Sequence, residues 1–87
     1  MRRRKVYLHK VDSRAVDAMD YDKLRRELQI VFRSEPQRLY VYSRVSLSEW
    51  QMLQKTSSLG AIVNAHIKTR HAYQRFGPDE VEIIIRP

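Results

Sequence analysis

The sequence contains no cysteine, so neither a disulfide framework nor a thiolate metal site can stabilise the fold. With only two glycines and three prolines, its composition is that of a folded domain and not of a disordered chain. No apolar run approaches the ~20 residues that cross a bilayer. The basic start, residues 1–5, is followed by no apolar signal-peptide core. We therefore expect a cytoplasmic protein without membrane association.

Signatures of catalysis and of metal binding are also missing. The sequence has no Gly-x-Ser-x-Gly elbow, HExxH motif, P-loop or dinucleotide fingerprint. Its histidines, His9, His66 and His71, have no metal-ligand spacing with one another or with a pair of carboxylates. His66 falls on the apolar stripe of a predicted helix, where a histidine is more often a core residue than a ligand. We predict no enzyme activity, no cofactor and no metal.

Positive charge is what the sequence has in excess. Its 87 residues include 17 lysines and arginines against 10 aspartates and glutamates, a formal net charge of +7 at pH 7. The cations form three sequence clusters: Arg2, Arg3, Arg4 and Lys5; Lys23, Arg25 and Arg26; and Lys68, Arg70, His71 and Arg75. The last cluster lies near the C-terminal end of a predicted helix, whose dipole explains one or two of the cations but not all. We interpret the clusters as a phosphate-binding surface and not as a merely solvated face.

Apolar alternation predicts strands at residues 5–11, 28–32, 38–45 and 81–85. The strands 28–32 and 38–45 are joined by the turn residues 34–37, which indicates a hairpin. The stretch 13–22 fits either a helical stripe or a strand that turns at 20–22. The lysines of 5–11 are typical of a protected edge strand.

Two helices are predicted between the hairpin and the last strand. Ser46 and Glu49 match the capping box that opens a helix, and Trp50 is expected to anchor that helix to the sheet. Residues 56–58 offer N-caps for a second helix, whose apolar residues recur at helical spacing. Its end is expected at 76–78, where glycine can adopt a left-handed cap and proline cannot continue. The predicted fold class is α+β: an antiparallel β-sheet with two helices packed on one face.

A set of residues in this order carries a family resemblance. It comprises Val11, Asp12, Ser13, Tyr21, Asp22, the strand 28–32, Tyr40, Val41, Tyr42, Val45, Ser58, Leu59, Gly60, Asn64 and Ile67. With this spacing, residues 11–73 resemble the KTSC domain, a family named for the C-terminus of lysyl-tRNA synthetase. The resemblance implies a single domain over 1–87, with a basic N-terminal strand and a C-terminal strand added to the 11–73 core. It also favours a strand for 13–22 and implies RNA binding, which has been suggested for the family.

Tyr40 and Tyr42 share one face of their predicted strand with Arg38 and Arg44. Such an aromatic and basic stripe can stack bases and bind phosphates, as sheet platforms do for single-stranded nucleic acid. The alternative is that the tyrosines pack against the helices as core. The opposite face is also apolar, with Leu39, Val41 and Val45. The resemblance favours buried tyrosines, because the residue between them is often polar in the family.

The predicted function is that of a small, basic, non-catalytic module that binds RNA or single-stranded DNA through phosphate contacts. The candidate contact residues are Arg25, Arg26, Arg38, Tyr40, Tyr42, Arg44, Lys68, Arg70 and Arg75. The alternative is a protein-interaction module, for instance a phage or bacterial regulator that docks on a larger partner with an acidic contact region. Edge strands at 5–11 or 81–85 would add to that partner's sheet, or to a second copy in a dimer.

Overall fold

The structure is a computed structural model, and it describes residues 3–87. The strands are β1 Arg4–Lys10, β2 Val16–Asp22, β3 Glu27–Phe32, β4 Leu39–Tyr42, β5 Tyr73–Phe76 and β6 Val81–Arg86. Helix α1 spans Leu47–Lys55, and a second helical segment joins α2 Leu59–Ile62, a π-helix Val63–Ile67 and α3 Lys68–Arg70. The chain is therefore an α+β protein. Among these helices none is long and apolar enough to span a membrane.

The six strands form one mixed sheet in the order β5-β4-β3-β2-β1-β6. Neighbours from β5 to β1 are antiparallel, but β6 runs parallel to β1, from Arg4 opposite Val81 to His9 opposite Arg86. This corrects the prediction of a purely antiparallel sheet. The prediction that the N-terminal strand lies at an edge of the sheet is also wrong, because β1 lies between β2 and β6. The strand predicted at 81–85 is an edge.

The connection between β5 and β6 shows that the sheet is curled. These strands occupy opposite edges, yet only residues 77–80 join them. In a flat sheet of this size the edge strands would lie about 24 Å apart, at about 4.8 Å per spacing. From Phe76 to Val81 the chain reaches at most about 18 Å. The edges must therefore curve towards each other.

Because of the curl, both faces of the sheet are buried. One face forms a hydrophobic cluster with the helices, which contribute Leu53, Leu59, Val63 and Ile67. The other face closes on itself, in a cluster that contains no helical residue: Val6, Leu8, Ala18, Val31, Leu39, Val41 and Val81. The sequence suggested a choice between the Tyr42 face and the Val41 face of β4, whereas the structure buries both, at 1% and 5% exposure.

Helix α1 begins as predicted, at a complete capping box. The Ser46 hydroxyl accepts the Glu49 N–H at 3.2 Å, and Glu49 Oε1 accepts the Ser46 N–H at 2.9 Å. The second segment begins at Leu59 without a side-chain cap from Ser58. Gly60 is required there, because a Cβ at this position would lie 2.9 Å from the Ala15 Cβ.

The second helical segment ends at Arg70, earlier than the predicted end at 76–78. His71 is extended, and the following residues Tyr73–Phe76 form the edge strand β5 against β4. Gly77 has no positive φ, so it is not a left-handed helix cap. The sequence prediction was wrong here because β5 is a strand only through its pairing with β4, which lies about thirty residues earlier in the chain. Non-local pairing of this kind overrides local helical pattern.

Candidate nucleic-acid interface

Three tyrosines meet where β4 pairs with β5. Tyr42 lies opposite Tyr73 in the register, with ring centroids 5.7 Å apart, and Tyr40 lies 5.5 Å from Tyr73. Tyr42 is 1% exposed, so its ring offers no face to a nucleobase and it is a core residue. Tyr73 is 57% exposed. The predicted platform residues therefore include one buried ring, and the exposed aromatic of the cluster is one that the sequence analysis assigned to a helix.

Tyr40 is half-buried and belongs to a polar cluster near the start of β4, at the end of the strand away from Arg44. Its hydroxyl donates to Glu35 Oε2 at 2.8 Å, while Arg38 and Arg75 lie 3.8 and 3.9 Å from Glu35 Oε1. Burial, followed by the contact with Glu35, raises the pKa of the Tyr40 hydroxyl. Lys68 lies nearby, 4.6 Å above the Phe32 ring. Arg38, Arg75 and Lys68, which the sequence predicts to bind phosphate, therefore already have an acidic or aromatic partner within the protein.

Alkaline destabilisation is expected from Tyr42. Desolvation by burial, and then the neighbouring Tyr40 and Tyr73, raise the pKa of its hydroxyl from 10.0 to about 12. A raised folded-state pKa means that the stabilisation is complete below pH 10 and is lost as the pH rises towards 12. The expected loss is about 1–3 kcal/mol. Urea unfolding across this range measures it. Tyr42→Phe, which keeps the ring, should lose less; an equal pH dependence in both proteins would contradict the burial of Tyr42.

Two arginines occupy a backbone conformation that side chains disfavour. Arg26, in the β2–β3 turn, has φ 56°, and Arg44, just after β4, has φ 57°. They are the only non-glycine residues with positive φ among residues 3–87. The β3–β4 ladder ends at Leu28 and Tyr42, and just beyond it the Val45 N–H donates to the Arg26 carbonyl at 2.9 Å, next to Arg44. The two strained arginines are therefore neighbours.

The flanking residues hold Arg44 in this conformation. On one side, Ser43 donates its N–H to the Ala72 carbonyl and accepts from the His71 ring. On the other side, Val45 is fully buried, donates to Arg26 and accepts from the Tyr21 hydroxyl. Left-handed backbone costs a side chain about 1–2 kcal/mol. Strain of this kind persists where surroundings over-determine it, and it concentrates at functional sites.

Two further exposed arginines, Arg25 and Arg70, complete a set that we call the arginine end: Arg25, Arg26, Arg44 and Arg70. Arg25 precedes Arg26 in the turn, and Arg70 directly precedes His71, whose ring reaches the Ser43 carbonyl at 2.9 Å. The four side chains are exposed, and none has a carboxylate within 4.0 Å among the described residues. Asp22 shares the turn, but its Oδ1 accepts the N–H groups of Leu24 and Arg25.

The nine predicted contact residues therefore separate into groups. The arginine end brings four of them together, whereas Arg38, Tyr40, Lys68 and Arg75 lie towards Glu35 and Phe32, and Tyr42 is core. Of the N-terminal basic cluster, Arg2 lies outside the described residues and Arg3 pairs with Glu82 at 3.9 Å. Two features produce the arginine end: the contact of the β2–β3 turn with the residues after β4, and the end of the second helical segment at Arg70. Neither is visible in sequence spacing.

Behind the arginine end, Glu49 joins two histidines that the sequence analysis treated separately. Glu49 Oε2 accepts from His66 Nε2 at 2.8 Å and from His71 Nε2 at 2.7 Å. Partial burial acts to raise the pKa of the Glu49 carboxyl, but the hydrogen bonds from Ser46 and the two histidines outweigh it and lower the pKa to about 2. Sequence spacing does not show this cluster, because α1 supplies Glu49, the second helical segment supplies His66, and the extended residue after that segment is His71.

A cavity lies elsewhere, between the β1–β2 region and the helices. It measures about 1040 Å³, and Trp50 lines it while stacking on Tyr21 at 5.5 Å. Asp12 and Asp20 line it together with Arg14 and Lys23. Because its charges are mixed, this groove is a weaker phosphate site than the arginine end.

The fold and this basic end define a small α+β domain with a curled mixed sheet. The sequence model of the KTSC domain matches residues 12–73, so the chain belongs to the KTSC domain family. A crystal structure of a KTSC domain protein from Yersinia pestis is similar, with a TM-score of 0.74 and 26% sequence identity. The likeness covers 80% of this chain and 96% of that one. No curated protein matches the chain.

Proposed function

We propose that this protein binds RNA or single-stranded DNA, and that the arginine end holds the phosphates. The observation that carries the proposal is the closeness of Arg26 and Arg44, both left-handed and both exposed, which the hydrogen bond from the Val45 N–H to the Arg26 carbonyl joins. Glycine or asparagine would occupy these positions with less strain. Strained arginines therefore suggest that the guanidinium groups have a use that stability does not explain.

The exposed ring of Tyr73 provides the second contact. It lies at the β5 edge, three residues after Arg70 and opposite the end of β4 that leads to Arg44. An aromatic beside a basic surface is the arrangement by which proteins bind single strands, since bases stack on the ring while arginines neutralise the backbone. We place one unstacked base on Tyr73, with its flanking phosphates at the arginine end.

The RNA binding that the resemblance to the KTSC domain implies agrees with this proposal. The contacts that we assign are to phosphates and to a ring face. They distinguish neither the 2′-hydroxyl nor base edges, so we expect little sequence preference and similar affinity for RNA and single-stranded DNA.

Binding is expected to weaken steeply with salt. If four arginines neutralise four phosphates, the logarithm of the association constant should fall against the logarithm of salt concentration with a slope of about −3. Fluorescence anisotropy of labelled single-stranded RNA and DNA oligonucleotides measures the slope directly. No binding at low salt, or binding that salt leaves unchanged, would sink the proposal.

A protein-interaction module is the second candidate, and Leu24 is the observation that favours it. This side chain is 97% exposed at the tip of the β2–β3 turn, between Lys23 and Arg25. An apolar residue among cations suits an acidic protein surface with an apolar pocket. Leu24→Ser separates the candidates: nucleic-acid binding should remain, whereas a protein partner retained after nuclease treatment should be lost.

A further inference from the structure

We propose that Glu49, His66 and His71 bind a transition metal ion of the Zn²⁺ class. Their ligand atoms, one carboxylate oxygen and two imidazole nitrogens, lie within 4.8 Å of one another. Two histidines and a glutamate with water in the fourth position are a donor set that suits Zn²⁺. The site is separate from nucleic-acid binding, which uses neither Glu49 nor the histidine rings.

Outer hydrogen bonds hold the ligands as metal sites require. His71 donates its Nδ1–H to the Ser43 carbonyl at 2.9 Å, which directs Nε2 towards Glu49. The other carboxylate oxygen, Glu49 Oε1, accepts the Ser46 N–H at 2.9 Å and the Ser46 hydroxyl at 3.0 Å. Metal-binding histidines almost always donate their second N–H to a carbonyl or carboxylate, and metal-binding carboxylates are themselves hydrogen-bonded.

The π-helix supplies an independent argument. His66 and His71 are five residues apart, a separation that would direct them about 140° apart around a straight α-helix. Here the helix widens at Val63–Ile67, where the Lys68 N–H donates to the Val63 carbonyl, and it ends at Arg70. His66 therefore lies on the π-helix while His71 is extended beyond the helix end, and both Nε2 atoms reach the same carboxylate oxygen. Single π turns inside helices are frequent at functional sites.

Each histidine would bind the ion through an Nε2 that carries no proton, so bonds to the ion would replace the two hydrogen bonds to Glu49 Oε2. In a tetrahedral site, ligand bonds of about 2.1 Å set the ligand atoms about 3.4 Å apart, so the carboxylate would withdraw slightly from its present 2.7 and 2.8 Å contacts.

Zn²⁺ titration of the chelator-treated full chain tests the proposal by calorimetry at neutral pH. We expect one Zn²⁺ per chain, and with Co²⁺ the visible absorption of a four-coordinate site. His66→Ala should weaken Zn²⁺ binding at least about tenfold, and so should Glu49→Gln, whose amide preserves the capping box. His9→Ala is the matched control, because His9 is exposed and outside the cluster.

Three results would overturn the proposal. They are Zn²⁺ affinity that is equal in the original protein and His66→Ala, binding that only His9→Ala removes, and the absence of stoichiometric binding. His66 is suited to the test because its side chain is 29% exposed, so its loss should leave the fold intact. Circular dichroism of each variant verifies that the fold is retained.

Discussion

Tyr42→Ala is expected to destabilise the protein by about 3–5 kcal/mol. The substitution removes a ring that is 1% exposed and that packs against Tyr40, Tyr73 and the helices. A small domain has about 5–15 kcal/mol of unfolding free energy in total, so a large part of this chain's stability depends on one side chain. Urea unfolding followed by circular dichroism measures the loss.

Tyr73→Ala is the matched variant, because it removes the facing ring of the same cluster. Tyr73 is 57% exposed, so we expect a loss of stability below about 1 kcal/mol. Tyr73→Ala should instead weaken the binding of single-stranded nucleic acid, because stacking of one base contributes about 1–3 kcal/mol to that binding. If Tyr42→Ala were tolerated and Tyr73→Ala unfolded the protein, the assignment of the two rings would be reversed.

Replacing both strained arginines by glycine should weaken nucleic-acid binding at least about tenfold without destabilising the fold. Arg26→Gly with Arg44→Gly removes two phosphate contacts, so the salt slope should become shallower by about 1.4. Each glycine relieves a left-handed side chain but adds freedom to the unfolded chain. We therefore expect unfolding free energy to stay equal or to rise by up to about 1 kcal/mol per site. Anisotropy and urea unfolding measure the two effects.

Two controls separate charge at this position from charge in general. Arg26→Lys with Arg44→Lys keeps the charge and the strain, so the salt slope should be retained. Lys10→Gln with Arg86→Gln removes the same charge at the opposite end, since Lys10 pairs with the start of β2 whereas the arginine turn follows its end. Equal losses of affinity in the glycine and glutamine pairs would mean that net charge, and not the arginine end, binds the ligand.

Local patterns in the sequence predicted much of the fold. The capping box at Ser46 and Glu49 and the strands β3, β4 and β6 are visible from short-range spacing alone. The sequence also indicated the family, through residues spread over 11–73. The capping box and the strands depend on interactions between residues that are close in sequence, which is why local patterns predict them.

The remaining features depend on contacts between distant residues. Nothing local distinguishes Tyr73–Phe76 from a helix end, and only its partner β4 makes it a strand. The parallel addition of β6 to β1 and the resulting curl likewise depend on both ends of the chain. The same holds for the site: the contact of Arg26 with Val45, next to Arg44, and the meeting of Glu49 with His66 and His71 come from tertiary structure.

Backbone amide chemical shifts recorded during titration with a single-stranded oligonucleotide test the central claim most directly, because they locate the ligand residue by residue. We predict the largest perturbations in the β2–β3 turn around Arg26, at Arg44 and from Arg70 to Tyr73. The β1–β6 edge, including Arg86, should change little. Perturbations confined to β1 and β6, or to the groove beside Trp50, would contradict the assignment of nucleic-acid binding to the arginine end.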